Sequence, residues 1–188
     1  MPHRKKVDAM PFQDDSDMKI VGEYVAPEEI PDTTSELLEQ EQQNGNLDRA
    51  RALGAALIDA AKTAETEHPS ENASLRLQRW LLLLFTADVE LHRLLPNSLV
   101  AQTSANTFYN LLHTQAEDIY DAVQQDGSLS FYYLCQEDGT VSVEKAGQTF
   151  ASLCGHANER IYVALGQKLA QACLDYVRDL VEQQNFVD

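Results

Sequence analysis

The sequence predicts an all-α protein, an antiparallel bundle of five or six helices behind an irregular N-terminal arm. Three observations predict it. Apolar side chains recur at three- and four-residue spacing from Leu47 to the C-terminus, the period of a helix buried along one face. Alternating, strand-like patterns are confined to Tyr132-Tyr133 and Val141-Ser142-Val143, which are short and lack a matching partner. Breakers at Asn44-Gly45, Pro69, Pro96, Asp126-Gly127 and Gly155 divide the chain at helix-length intervals. One domain is the default for 188 residues, and such a length can bury roughly 70% of its unfolded surface.

Residues 1–33 read as a flexible acidic arm and residues 34–188 as the helical domain. Pro11, Pro27 and Pro31 interrupt any regular element in the arm. Its apolar residues, Phe12, Met18, Ile20, Val21, Tyr24 and Val25, suit docking on its own domain or on a partner.

Thr34 or Ser35 can cap a short acidic helix, Glu36 to Gln43, which stops at Asn44-Gly45. Asn46 is placed to cap the next helix, Leu47 to Glu67. Its apolar face carries Leu47, Ala50, Leu53, Gly54, Leu57, Ala61 and Ala64, small enough for a neighbour to approach closely. Ser74 to Leu95 forms the third helix. Trp80-Leu-Leu-Leu-Leu-Phe85 is apolar nearly all round, so this helix is expected at the centre, wetted only at Arg79, Thr86, Glu90 and Arg93. Asn97 or Ser98 caps a fourth helix running to about Gln125, its core face Ala105, Phe108, Tyr109, Leu111, Leu112, Ala116, Ile119 and Val123. Ser128 to Gln136 is a short helix carrying Phe131, Tyr132 and Leu134. Asp138-Gly139 makes a turn, Ser142 caps a helix to Cys154, and Gly155 ends it in the left-handed conformation. The last helix, Ala157 to Gln184, is expected to bury Ile161, Leu165, Leu169, Ala172, Cys173, Tyr176, Val177 and Leu180.

The net charge is −16 and the predicted pI about 4.5. Such a surface repels phosphate backbones and anionic lipid, so neither nucleic acid nor a membrane is an expected partner. The longest apolar run, Trp80 to Phe85, is far short of a membrane span. The basic start, Arg4-Lys5-Lys6, is followed by Asp8, Asp14, Asp15 and Asp17 rather than an apolar stretch, unlike a secretion signal. Cys135, Cys154 and Cys173 are too few for a disulfide scaffold and are expected as free, buried thiols in a cytoplasmic protein. Phe131-Tyr-Tyr-Leu-Cys135 echoes Phe150-Ala-Ser-Leu-Cys154 after 19 residues, and Leu169 and Cys173 continue the spacing more faintly, as a duplicated hairpin element, as a thiol cluster, or as three core-facing stripes aligned by chance.

Most catalytic and ligand motifs fail on spacing. Gln136 to Lys145 resembles an EF-hand loop, but alignment on Gly139 places Leu134 and Lys145 at ligand positions that must be oxygen donors. Gly45 to Arg51 with Pro69 resembles one helix of a tetratricopeptide repeat, without a second copy. Glu65-Thr-Glu-His68 has the Glu-x-x-His spacing that di-iron bundles need twice. Glu36 and Glu39 match half of a pyrophosphohydrolase magnesium motif, but Glu29 and Asp32 lie on the wrong side of them. Cys154 and His156, even with Cys135, lack a fourth zinc ligand. No glycine-rich phosphate loop and no Gly-x-Ser-x-Gly elbow is present.

Asp88 and His92 remain. At four-residue spacing their side chains can meet, and the shared face with Leu77, Leu81, Leu84, Leu91 and Leu95 turns Asp88 inward. A buried carboxylate needs a partner. The pair therefore reads as a general base oriented by a carboxylate, or as a hydrogen-bonded lock between helices. His113, with Glu117 one turn on, could supply a metal-binding half; the Glu117, Asp118, Asp121 run otherwise reads as a solvated face. Two function classes follow. One is a non-enzymatic module that binds another protein or itself, with no cofactor. The other is a small metal-dependent or acid–base enzyme using Asp88, His92 and His113.

Overall fold

Helices make up nearly all the regular structure of the computed structural model, which describes residues 33–67 and 72–187. The arm expected at the N-terminus, apart from Thr33, and the His68 and Pro69 signals lie outside the described residues. In chain order the elements are α1 (Thr33–Gln43), α2 (Asn46–Glu67), α3 (Ala73–Leu94), α4 (Ser98–Gln115), α5 (Glu117–Asp126), α6 (Leu129–Tyr133), the strands β1 (Gln136–Glu137) and β2 (Thr140–Val141), α7 (Val143–Leu153) and α8 (Arg160–Gln184).

The expected central helix is central. Every residue from Trp80 to Val89 except Asp88 is buried on α3, each large apolar side chain contributing about 1.5–3 kcal/mol. Asn72 starts the helix, its side-chain oxygen accepting from the Leu75 amide at 2.8 Å. Chain-adjacent long helices alternate in direction. Hence α2 runs parallel to α4, with Gly54 beside Ser104 and Lys62 bonded to Gln115, and α3 runs parallel to α8, where Glu90 meets Arg178. The close approach expected of the small-sided α2 occurs against α4. A Cβ on Gly54 would lie 2.6 Å from the Ser104 carbonyl oxygen. Gly147 and Gly166 give α7 and α8 a similar intimacy: a Cβ there would lie 2.8 Å from the Val163 oxygen and 2.7 Å from the Phe150 Cβ, respectively.

Several boundaries and faces differ from expectation. The α1 helix begins at Thr33, so Thr34 and Ser35 sit inside its first turn. Asn46 is the first residue of α2 and serves a longer-range purpose. Its amide donates to Glu41 at 2.6 Å and to the Val187 carbonyl at 2.7 Å, and its oxygen accepts from the Val187 amide at 3.0 Å. Glu41 also accepts from Asn97 at 2.7 Å, so a buried polar network joins α1, α2, the α4 start and the C-terminal segment. Asn97 does cap α4, through the Leu99 and Val100 amides.

The expected fourth helix is two. The Ala116 amide closes α4 on the Leu112 carbonyl at 2.9 Å, and the Ala116 carbonyl opens α5 by accepting from Ile119 and Tyr120 at 3.0 Å. Neither proline nor glycine marks the break, but Glu117 and Asp118 suit the positive end of a new helix. Tyr109 and Leu111, expected in the core, are half-buried.

The segment after Gly127 is helical only from Leu129 to Tyr133. Tyr132 is fully buried, whereas Phe131 and Leu134 are 53% and 74% exposed, because a five-residue helix offers a single inward position. Asp138 (φ 49°) and Gly139 (φ 76°) both lie in the left-handed region, joining β1 and β2 by the turn that favours a two-residue hairpin. Helix α7 ends as expected, with Gly155 at φ 80°, although the Ser142 side chain makes no capping bond to it.

The face of α8 is rotated from the expected one. Gly166, Ala170, Leu174, Val177 and Leu180 are buried. Ile161 is 78% exposed, Ala172 and Tyr176 are also exposed, and Leu165, Leu169 and Cys173 are half-buried. Gly166 decides the orientation, since only that side of α8 can meet Phe150 of α7 at such short range.

Candidate functional site

The displaced stripe of α8 forms one wall of an open groove of about 650 Å³. Leu169, Ala172, Cys173 and Tyr176 face Ala56, Ala60, Thr63 and Ala64 of α2 across a floor of Trp80 and Leu83 from α3. Asp59, Glu65, Arg76 and Arg79 stand at its edges. Glu65 takes hydrogen bonds from the Arg76 guanidinium and, at 2.9 Å, from the Trp80 indole. Arg76 also donates to Asp118 at 2.6 Å, so the start of α5 is tied to the α2–α3 corner rather than being simply a solvated face. That bond holds the Asp118 carboxyl below its usual range, and Arg76 is raised by its bonds to Glu65 and Asp118. Burial pushes the Cys173 thiol up to about 11, leaving it un-ionised at neutral pH.

No motif marks this groove in the sequence. Its signal was an excess: α8 carries two apolar stripes, 166-170-174-177 and 165-169-172-176, and a helix packed on one side can bury only one fully. Of the alanines expected on the close-packing face of α2, Ala50 and Ala61 are buried, whereas Ala64 is half-buried and lines the groove with Ala56 and Ala60.

Asp88 and His92 lie on the other side of α3, toward α6 and the hairpin. Asp88 does not point into the core. Its side chain is 27% exposed and accepts from the Tyr133 hydroxyl at 2.8 Å. The apolar run of α3 extends nearly all round, so periodicity could not choose an inward direction there. His92 is exposed, its Nδ1 2.9 Å from the Asp88 carbonyl oxygen and 3.6 Å from the Asp88 carboxylate. Tyr133 is also bonded to Tyr109. Burial first, then Asp88, raises both phenols above their ordinary range, so they remain protonated donors at neutral pH. With Arg93, Gln136 and Asp138, Asp88 and His92 border a shallow hollow of about 360 Å³.

His113 does not line that hollow. It packs against Tyr120 in a tilted pair, with ring centroids 4.5 Å apart and an interplanar angle of 43°. Glu117 is exposed at the start of α5, and the break at Ala116 removes the continuous helix on which it would sit one turn from His113. His156 bonds Glu159 at 2.7 Å and stacks on Tyr162. Among the described residues no three His, Cys, Asp or Glu side chains are grouped to hold a metal ion.

The buried carboxylate that α3 does carry is Glu90, expected on its wet side together with Thr86. Both are fully buried. Glu90 takes two bonds from Arg93, at 3.2 and 2.6 Å, and one from Arg178 at 2.9 Å, which fastens α3 to α8. Thr86 bonds back to the Leu82 and Leu83 carbonyls at 2.9 and 3.1 Å. None of the three cysteines is in a disulfide among the described residues, with Cys135 buried and the others half-buried. All three lie near enough to Tyr132 to add to the effect of burial in raising its phenol. The echo itself does not extend to environment, since Phe131 is exposed while Phe150 is fully buried.

No helix among the described residues is long and apolar enough to cross a membrane. No family model, curated protein or solved structure matches the chain.

Proposed function

We propose that the chain is a small cytoplasmic, non-enzymatic module that binds another protein, and that the α2/α3/α8 groove receives a helix of that partner. The observation that carries the reading is the groove itself: Leu169, Tyr176, Leu83 and Trp80 line an open, largely apolar trough that no described residue covers. Helix-in-groove recognition needs such a trough, with partner side chains entering at helical spacing. The net charge of −16 steers the reading away from nucleic acid and anionic membranes.

Selection from a displayed library of helical peptides tests it, with the Ala60→Trp variant, whose new side chain occupies the trough, as the counter-target. Peptides enriched on the full chain should bind the variant at least about tenfold more weakly, a loss of roughly 1.4 kcal/mol. Binders indifferent to Ala60→Trp would place recognition elsewhere.

A second reading is a small acid–base catalyst at Asp88 and His92. The Tyr109–Tyr133–Asp88 chain beside the hollow favours it, since two protonated phenols and a carboxylate could hold and move a proton. Turnover of any substrate that is lost in both Asp88→Asn and His92→Ala, with folding intact, would support it over the binding module.

A further inference from the structure

Resting on the groove reading above, we infer that the occupant is an amphipathic helix of another protein, with bulky apolar side chains on its buried face and Lys or Arg flanking them. The bulk follows from the walls. Ala56, Ala60 and Ala64 of α2 and Ala172 of α8 end at Cβ, so the groove contributes width and the partner must contribute the side chains that fill it.

The sign follows from which edge charges are already satisfied. Arg76 is paired with Glu65 and Asp118, while Arg79, on the α3 side, donates to the Ala64 carbonyl at 3.4 Å and keeps a positive charge that Cys173 feels. Asp59 is exposed at the edge with no hydrogen bond or ion pair to another side chain among the described residues. Its charge is felt by Tyr176 across the trough. Asp179, one turn beyond Tyr176 on α8, is exposed as well. On the exposed edge of α2 and α8 the acids Asp59 and Asp179 stand against the one base Lys168, which leaves that edge net anionic, and the −16 of the whole chain adds a long-range field of the same sign. That field also argues against a second copy as occupant, because two such chains repel.

Trp80 is the single tryptophan of the chain and part of the groove floor, so its emission reports occupancy directly. The full chain is titrated with three tryptophan-free helical peptides that share one Leu/Phe face and carry Lys, Gln or Glu on the polar face. At about 0.01 M salt, where the screening length is about 30 Å, the Lys peptide should bind at least roughly tenfold tighter than the Glu peptide. At about 1 M salt, where that length is about 3 Å, the two should agree within roughly threefold. Asp59→Lys should shrink the low-salt preference by about threefold or more, and Ala60→Trp, whose binding is read by calorimetry because it adds a second tryptophan, should weaken all three peptides.

Equal affinity of the three peptides at low salt overturns the cationic assignment while leaving the groove reading intact. A Lys peptide whose binding ignores Ala60→Trp overturns both, since it is then held by charge alone. Failure of every peptide to shift Trp80 emission likewise removes the groove reading. Concentration-dependent dimerisation in sedimentation velocity, abolished by Ala60→Trp, would install a second copy in place of the cationic partner.

Discussion

Replacing Glu90 by Gln keeps the shape of the side chain and removes its charge. In the native protein one carboxylate, fully buried, accepts from two guanidinium groups on two helices. The amide retains one acceptor and turns a donor toward an arginine N–H, so at least one bond is lost and the remainder lose their charge assistance. Bonds to charged groups contribute about 1.5–3 kcal/mol each. Arg93 and Arg178 are 37% and 41% exposed and can turn to water, which lowers the loss. We expect about 2–3 kcal/mol in total, or a fall of roughly 4–12 °C in Tm for a domain of this size.

Circular dichroism melts and urea titrations at neutral pH measure the effect, and acid provides a second check. Burial alone would raise the Glu90 pKa, but the bonds from Arg93 and Arg178 outweigh it and hold it below its ordinary value. A depressed folded-state pKa means stabilisation that is fully present above the unfolded value, about 4.3, and is lost as pH falls through the folded one. The gap between wild type and Glu90→Gln should therefore be widest near neutrality and narrow below about pH 4. A Tm within about 1 °C of wild type at neutral pH, or a gap that widens in acid, would refute the assignment of Glu90 as the tie between α3 and α8.

Other outcomes follow from single contacts. Gly54→Ala should lose about 1–3 kcal/mol of stability in urea unfolding, despite the roughly 1 kcal/mol that alanine gains over glycine in a helix, because the new Cβ meets the Ser104 carbonyl oxygen at 2.6 Å. Asn46→Ala should cost about 1–3 kcal/mol and should speed hydrogen exchange of the Val187 amide, which donates to the Asn46 side chain. Alkylation of Cys173 at pH 8 should run far slower than that of a free thiol, since a pKa of about 11 leaves only about a thousandth of it as thiolate; mass spectrometry of the labelled peptide measures it.

The helical class and most helix ends were legible because they are written locally. Asn97, Gly127 and Gly155 act where they stand, as cap or left-handed stop. The break at Ala116 was hidden, because what sustains it is tertiary: Asp118 reaches Arg76 on another helix. Facing direction was legible where a helix has one apolar stripe and illegible where it has more. On α3 the choice between Asp88 and Glu90 as the buried acid turned on Arg178, 88 positions away, which no periodicity reveals. On α8 the deciding residue was Gly166, whose missing side chain carries no hydrophobic signal yet fixes which side of the helix meets α7.

At Gly54 and Gly147 a hydrogen atom faces a backbone oxygen of the neighbouring helix, and at Gly166 it faces the buried Phe150 side chain. Longer residues at a crossing can exchange rotamers and let two helices slip by a turn, whereas a backbone held against another backbone or against a buried ring has little room to do so. These three positions therefore hold the crossings in register. Sequence drift around them must proceed in compensating pairs, and a partner of the kind proposed for the alanine-walled trough would be met by its side chains rather than by a shift of the helices.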